Sequence, residues 1–235
     1  MEDLQYGIGA YTLTEAGKLL NVSPTTLKRW LFGYSYHHHG PVTTQEPLWT
    51  PQYSCEQDEP LLGFRDLIEA RVVRGLRSLG IGLPTIRRCL SRASEIVEDA
   101  HPFSTKMFKS DGKRIFLEIT DRDIGESQEP ALIDLKSRQR VFQTIVAPSF
   151  VDLSFDADVA SRWWLIPNKK TIVADPERSF GQPIVAQNGI PTARLAQAVA
   201  AEGSVERVAR LFEVKPVVVR DALRFENRTV DKLAA

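Results

Sequence analysis

Ala16-Gly17-Lys18-Leu19-Leu20-Asn21-Val22-Ser23-Pro24-Thr25-Thr26-Leu27-Lys28-Arg29-Trp30-Leu31 reads as two short helices joined by a tight turn. Thr12, with Glu15 three residues on, fits a capping box that opens the first helix. Ala16, Leu19 and Leu20 supply its apolar stripe, and Gly17 stands where two crossing helices need a small side chain. Asn21 tolerates a left-handed backbone at the turn, and Val22 is an apolar plug. Ser23 caps the second helix and Pro24 takes its first position, where a missing N–H costs nothing. Leu27 and Leu31 point inward beside Trp30, which leaves Thr25, Thr26, Lys28 and Arg29 facing outward. This is the layout of a helix-turn-helix, whose second helix lies in the DNA major groove.

Outward from this unit, residues 34–62 are rich in Pro, His and aromatic side chains and lack a helical period, which predicts an extended wing or long hairpin turning at Gly40-Pro41. Phe64, Leu67, Ile68, Val72, Leu76 and Leu79 then recur at helical steps up to Gly80, and Leu83-Pro84 opens a helix carrying Ile86, Leu90, Ala93, Ile96 and Val97. After His101-Pro102 the texture changes. Residues 114–119, 132–135, 140–146 and 171–173 are short β-branched or aromatic runs between polar turns, Asp111-Gly112 and residues 136–139 among them. They predict a small antiparallel β unit. Residues 179–191 lead into helices near 192–202, 204–212 and 216–225. The expected class is α+β: a winged helix-turn-helix over 1–100, a β-rich middle unit over 101–178 and an all-α helix-turn-helix domain over 179–235.

The C-terminal domain repeats the opening template in Val208-Ala209-Arg210-Leu211-Phe212-Glu213-Val214-Lys215-Pro216-Val217-Val218-Val219-Arg220-Asp221-Ala222-Leu223. Its chemistry differs. Val217 and Val218 replace Thr25 and Thr26, and Asp221 replaces Arg29. Apolar side chains cannot bond base edges, and a carboxylate there would repel phosphate, so this copy favours protein contact. Lys215, Arg220 and Arg224 leave a DNA contact open.

In the first copy, Arg29 has the reach for a bidentate contact to guanine, Thr25, Thr26 and Lys28 suit phosphates that set register, and Ser23 is a further candidate DNA contact. His37 and His39 share one face of an extended wing and suit the backbone or minor groove; two ligands do not make a metal site. The formal net charge of +0 argues against a bulk nucleic-acid coat. Distribution matters more: Arg65, Arg71, Arg74, Arg77, Arg87, Arg88 and Arg92 crowd one segment, and acids gather at 56–59 and 118–129. Cys55 and Cys89 have no ligand spacing around them, so neither a metal nor a cofactor is expected. No apolar run is long enough to cross a bilayer, which suggests a cytoplasmic protein. Gly7-Ile8-Gly9 lacks the rest of any phosphate-loop fingerprint and no catalytic triad is in frame, so an enzyme is not expected.

Residues 12–30, with the later pair Asp66-Leu67-Ile68 and Leu79-Gly80-Ile81-Gly82-Leu83-Pro84-Thr85-Ile86, resemble the winged-helix domain of MerR-type regulators. The wing here is longer, and no long dimerisation helix follows residue 90. Phe180-Gly181-Gln182-Pro183-Ile184-Val185 with Asn188-Gly189-Ile190-Pro191-Thr192, continuing through residues 203–223, resembles a small bacterial antitoxin domain. The whole order, including Ile133-Asp134-Leu135-Lys136-Ser137-Arg138 and Asp175-Pro176-Glu177-Arg178, looks like the large VapB-type antitoxins. That resemblance implies a protein that binds double-stranded operator DNA and neutralises a PIN-like ribonuclease toxin, and because one such helix reads few base pairs, a homodimer pairing two half-sites is expected. Arg162-Trp163-Trp164 is then a candidate toxin contact, with Arg162 entering the nuclease's carboxylate cluster, or else the two rings cap the β unit's core. The alternatives are a MerR-like regulator with a small-molecule sensor and no toxin, and an excisionase-like architectural protein.

Overall fold

The computed structural model describes residues 7–37, 42–54, 59–110 and 147–234. Gly40-Pro41, His39, Cys55, the acids at 56–58 and 118–129, and the runs predicted within 111–146 lie outside them. Chain order is β1 (Tyr11–Thr12), α1 (Leu13–Leu20), α2 (Pro24–Phe32), β2 (Tyr34–His37), β3 (Val42–Gln45), β4 (Leu61–Leu62), α3 (Phe64–Ser78) and α4 (Leu83–Val97). There follow α5 (Ala147–Val151), β5 (Leu153–Asp156), β6 (Val159–Ile166), β7 (Lys169–Ala174), β8 (Ile184–Val185), α6 (Thr192–Glu202), α7 (Val205–Leu211) and α8 (Pro216–Ala234). The fold is α+β. Its described strands form the antiparallel pairs β1–β4 and β2–β3 and a four-stranded antiparallel sheet in the order β5-β6-β7-β8.

The first helical pair forms for the reasons its residues give. Thr12 Oγ1 accepts the Glu15 N–H at 3.2 Å and Glu15 Oε2 accepts the Thr12 N–H at 2.9 Å, closing a capping box worth about 1 kcal/mol. Asn21 ends α1 in the left-handed region, at φ 54°. Ser23 Oγ accepts the Thr26 N–H and Pro24 opens α2. Gly17 is small for a different reason from the one expected. A Cβ there would lie 2.7 Å from the Val22 carbonyl oxygen, so the turn's own backbone demands the glycine more than the helix crossing does. Leu27 and Leu31 are fully buried, each worth roughly 1.5–3 kcal/mol.

Helix α3 buries Phe64, Leu67, Ile68, Val72 and Leu76, whereas Leu79 falls just past its end and is exposed. One core joins α1–α4 to the sheet through Phe103, Phe150, Leu153, Ala160 and Trp163. A second joins Ile172 and Val185 to Leu195, Val208, Val219 and Ala222. The C-terminal third is thus not purely helical: β8 pairs with β7 before α6 begins. Distant parts of the chain meet where the buried Tyr11 hydroxyl donates to the Gly181 carbonyl (2.8 Å) and the Ala10 N–H to the Phe180 carbonyl (2.8 Å).

Polar groups on α3 sit inside this first core. Asp66 accepts the Trp49 indole N–H (2.8 Å) and the backbone N–H groups of Gly63 (2.9 Å) and Gln52 (3.0 Å), with His101 Nε2 at 2.9 Å. Glu69 Oε1 accepts the Ser104 N–H at 3.0 Å, while Oε2 is buried with no hydrogen-bond partner among the described residues. Burial holds the Glu69 carboxyl well above the usual carboxylate range, against the opposing pull of the Ser104 N–H and the Arg65 charge. The folded chain therefore keeps a proton that the unfolded chain loses above about 4.5, and stability falls as pH rises from there toward the folded value. Glu69→Gln removes this slope. Its gain over the parent in urea denaturation is expected to be larger at pH 8 than at pH 5; an equal difference at both would refute the assignment.

Candidate nucleic-acid interface

On α2, Thr25, Lys28 and Arg29 are exposed, as the spacing requires. Ser23 and Thr26 are more committed: their hydroxyls lie 2.8 Å apart and Ser23 Oγ holds the helix cap. The Arg29 guanidinium lies 5.2 Å from the centroid of the Tyr34 ring, which stands at the root of the wing. The wing is the β2–β3 hairpin, in register from Tyr34↔Gln45 to His37↔Val42. Tyr34 and Tyr36 share one of its faces, with ring centroids 5.9 Å apart. By alternation Ser35 and His37 belong to the other face, and His37 is exposed there.

Between α2, this hairpin and the α3–α4 corner lies a groove of about 700 Å³. Arg29, Tyr34, Tyr36, Arg77, Arg87 and Arg88 line it together with Thr26, Trp30, Gln45, Leu48, Leu83 and Pro84. Four arginines line it and none of its described lining residues is acidic, so the groove attracts and concentrates anionic groups. Thr25 and Lys28 extend the exposed strip of α2 outside it.

The arginine-rich segment divides sharply. Arg77, Arg87 and Arg88 reach the groove, but Arg65 is an internal brace, paired with Asp99 at 2.7 Å and bonded to Ser104 Oγ and the His101 carbonyl. Arg71 lies 3.7 Å from Asp152 and 4.6 Å from the centroid of the Trp163 ring, and burial pulls its pKa down to about 10. Arg92 pairs with Glu95. Sequence reasoning saw the cationic crowding and the aromatic wing but did not single out Tyr34, Tyr36, Arg77, Arg87 and Arg88. The missing information was which face of α3 and α4 each arginine occupies.

The second copy has the same turn and a different surface. Glu213 repeats the left-handed backbone of Asn21 (φ 53° against 54°), and Val214 N–H bonds to the Ala209 carbonyl as Val22 N–H bonds to that of Gly17. Asp221, in the place of Arg29, does not stand on the outer face of its helix, where the sequence template put it. It is 2% exposed and accepts Lys169 Nζ at 2.8 Å and Thr171 Oγ1 at 3.1 Å, fastening α8 to β7. Arg220, in the place of Lys28, pairs with Glu206 at 2.7 Å. Lys215 and Arg224 are exposed, as are Leu211 and Val217.

Arg162 is half exposed, with Nε held 2.9 Å from the buried Asp175. Trp163 faces the first core under the Arg71 guanidinium rather than solvent. Trp164 is half-buried, its indole N–H donating to Ser154 Oγ at 2.9 Å. Among the described residues no group of three or more His, Cys, Asp or Glu is placed to hold a metal ion, and no helix is long and apolar enough to cross a membrane.

Residues 9–90 match the family described as "Putative DNA-binding HTH domain", which spans α1, α2, the wing and the start of α4. Residues 172–225 match "Protein of unknown function (DUF433)", from β7 into α8. The chain is 27% identical over 228 residues to a Mycobacterium tuberculosis protein named "Putative antitoxin VapB45", covering 94% of this chain and 95% of that one. The crystal structure of Rv2018 from Mycobacterium tuberculosis has the same fold, with a TM-score of 0.72 at 24% identity over 94% of this chain and all of that one. Along almost its whole length, then, this chain is similar to a VapB-type antitoxin, with a DNA-binding helix-turn-helix domain at its N-terminus and a DUF433 segment at its C-terminus.

Proposed function

We propose that this protein is a cytoplasmic, non-enzymatic antitoxin of a type II toxin–antitoxin pair that represses its own operon. Its first unit ends near residue 100, and its C-terminal unit takes in β7 and β8 together with α6, α7 and α8. The N-terminal unit binds operator DNA through α2, with Arg29 reading a guanine, Lys28, Thr25, Thr26 and Ser23 on phosphates, and the wing alongside, His37 and His39 included. A homodimer supplies two half-sites. The middle and C-terminal units capture a PIN-like ribonuclease toxin. The observation that carries the DNA reading is the arginine-lined groove, free of acids, beside the exposed strip of α2.

Arg29→Ala is expected to weaken binding to the operator upstream of the chain's own gene by about 10- to 100-fold, the worth of one bidentate base contact, and to leave nonspecific DNA binding within a few-fold. Competition gel shifts with operator and scrambled duplexes check this; equal losses on both would make Arg29 a phosphate contact. For the toxin arm, Arg162 keeps half its surface free to enter an acidic pocket, and Trp164 flanks it. Lys215, Arg220 and Arg224 provide a second contact surface, to toxin or DNA. Co-expression with the adjacent gene product, followed by pull-down and an RNase assay, tests capture, and unchanged inhibition by the Arg162→Ala chain removes Arg162 from it.

A further inference from the structure

The wing has almost no packing of its own. Every described residue of β2 and β3 is exposed except the half-buried Gln45, so burial does not fix the direction in which the hairpin leaves the domain. Its two roots are held instead. The first leaves α2 through Gly33. On the second, beyond β3, Leu48 is buried and its N–H donates to the Trp30 carbonyl at 2.8 Å. Between Gln45 and Leu48, Arg87 of α4 donates through Nη2 to the Glu46 carbonyl at 2.7 Å and through Nη1 to the Pro47 carbonyl at 2.5 Å. We propose that Arg87 is a positioning residue: a two-pronged latch that ties the root of the wing to α4, fixes the angle between wing and α2, and so sets the width of the DNA groove, without itself contacting phosphate. The effect on DNA rests on the operator reading above; the latch itself does not.

The chemistry separates a latch from a phosphate contact. A planar guanidinium spans two successive carbonyls with a rigid fork, which an ammonium lacks. On phosphate, lysine serves as a point charge nearly as well. The wing also carries no cation that would release counterions, since residues 33–64 contain no Lys or Arg. A displaced wing therefore loses neutral contacts and leaves the salt slope where it was.

Two measurements decide. In amide exchange of the DNA-free chain, Arg87→Lys is expected to speed exchange at residues 42–45 while α1 and α2 keep their protection. Faster exchange throughout the domain, or no change in the wing, overturns the latch. In operator titrations, Arg87→Lys is expected to weaken binding about tenfold, the worth of one or two neutral hydrogen bonds, with the dependence on salt unaltered. Arg88→Gln, by contrast, should weaken binding and lower the salt slope by about one, as the loss of a phosphate contact does. Parental binding by Arg87→Lys, or a slope lowered by one in Arg87→Gln, makes Arg87 a phosphate contact and ends the proposal. No binding of DNA by the parent chain would instead remove the operator reading, and the exchange data alone would decide the latch.

Discussion

A Gly33→Ala chain is expected to lose operator binding and about 3 kcal/mol or more of stability. Gly33 joins α2 to the wing at φ 70° and ψ −172°, a region that is open essentially to glycine alone. Space forbids the methyl group as firmly as the torsion does. An added Cβ would lie 2.3 Å from the Gln45 carbonyl oxygen and 3.2 Å from the Pro47 nitrogen. Both neighbours are backbone, and Gln45 is the ladder partner of Tyr34, so neither yields without opening the hairpin at its root. Tyr34 then leaves Arg29, and the groove loses one wall. Urea denaturation and gel shifts read both effects. A variant with the parent's midpoint and affinity would show that the wing tolerates a different exit from α2.

Asp66→Ala is expected to destabilise by about 4 kcal/mol or more, the scale on which a small domain ceases to fold. The carboxylate is fully buried on α3 and collects the indole N–H of Trp49 with the backbone N–H groups of Gln52 and Gly63. Truncation strands these three donors, and each buried donor left unsatisfied costs about 1–3 kcal/mol. Loss of the Gly63 bond also uncaps α3. Asp66→Asn retains one acceptor oxygen, so it should fall between parent and alanine. A loss below about 1 kcal/mol for alanine would mean that water replaces the carboxylate.

The helix-turn-helix was legible because its determinants are local. A cap, a proline, a left-handed asparagine and an apolar stripe lie within twenty residues, and each acts on its neighbours. The same holds for α3, α4 and α6. The hairpin β5–β6 was not legible. Ala157 holds its turn at φ 49°, a place where glycine or asparagine would have announced a reversal, and Arg162 to Ile166 do not alternate cleanly. The polar core was also hidden: Asp66 and Glu69 look like ordinary outward acids in an arginine-rich helix, and their burial depends on Trp49, His101 and Ser104, well away in the chain. For the same reason the sequence showed seven crowded arginines but not the division that sends Arg65 and Arg71 inward and leaves Arg77, Arg87 and Arg88 on the groove.

Asp221 sets a limit on redesign. Transplanting the residues of α2 onto α8 would reproduce the backbone of a reader, since the two turns already coincide, yet the incoming arginine at 221 would be driven against Lys169 on the strand beneath. The graft would unseat the helix before it met any duplex.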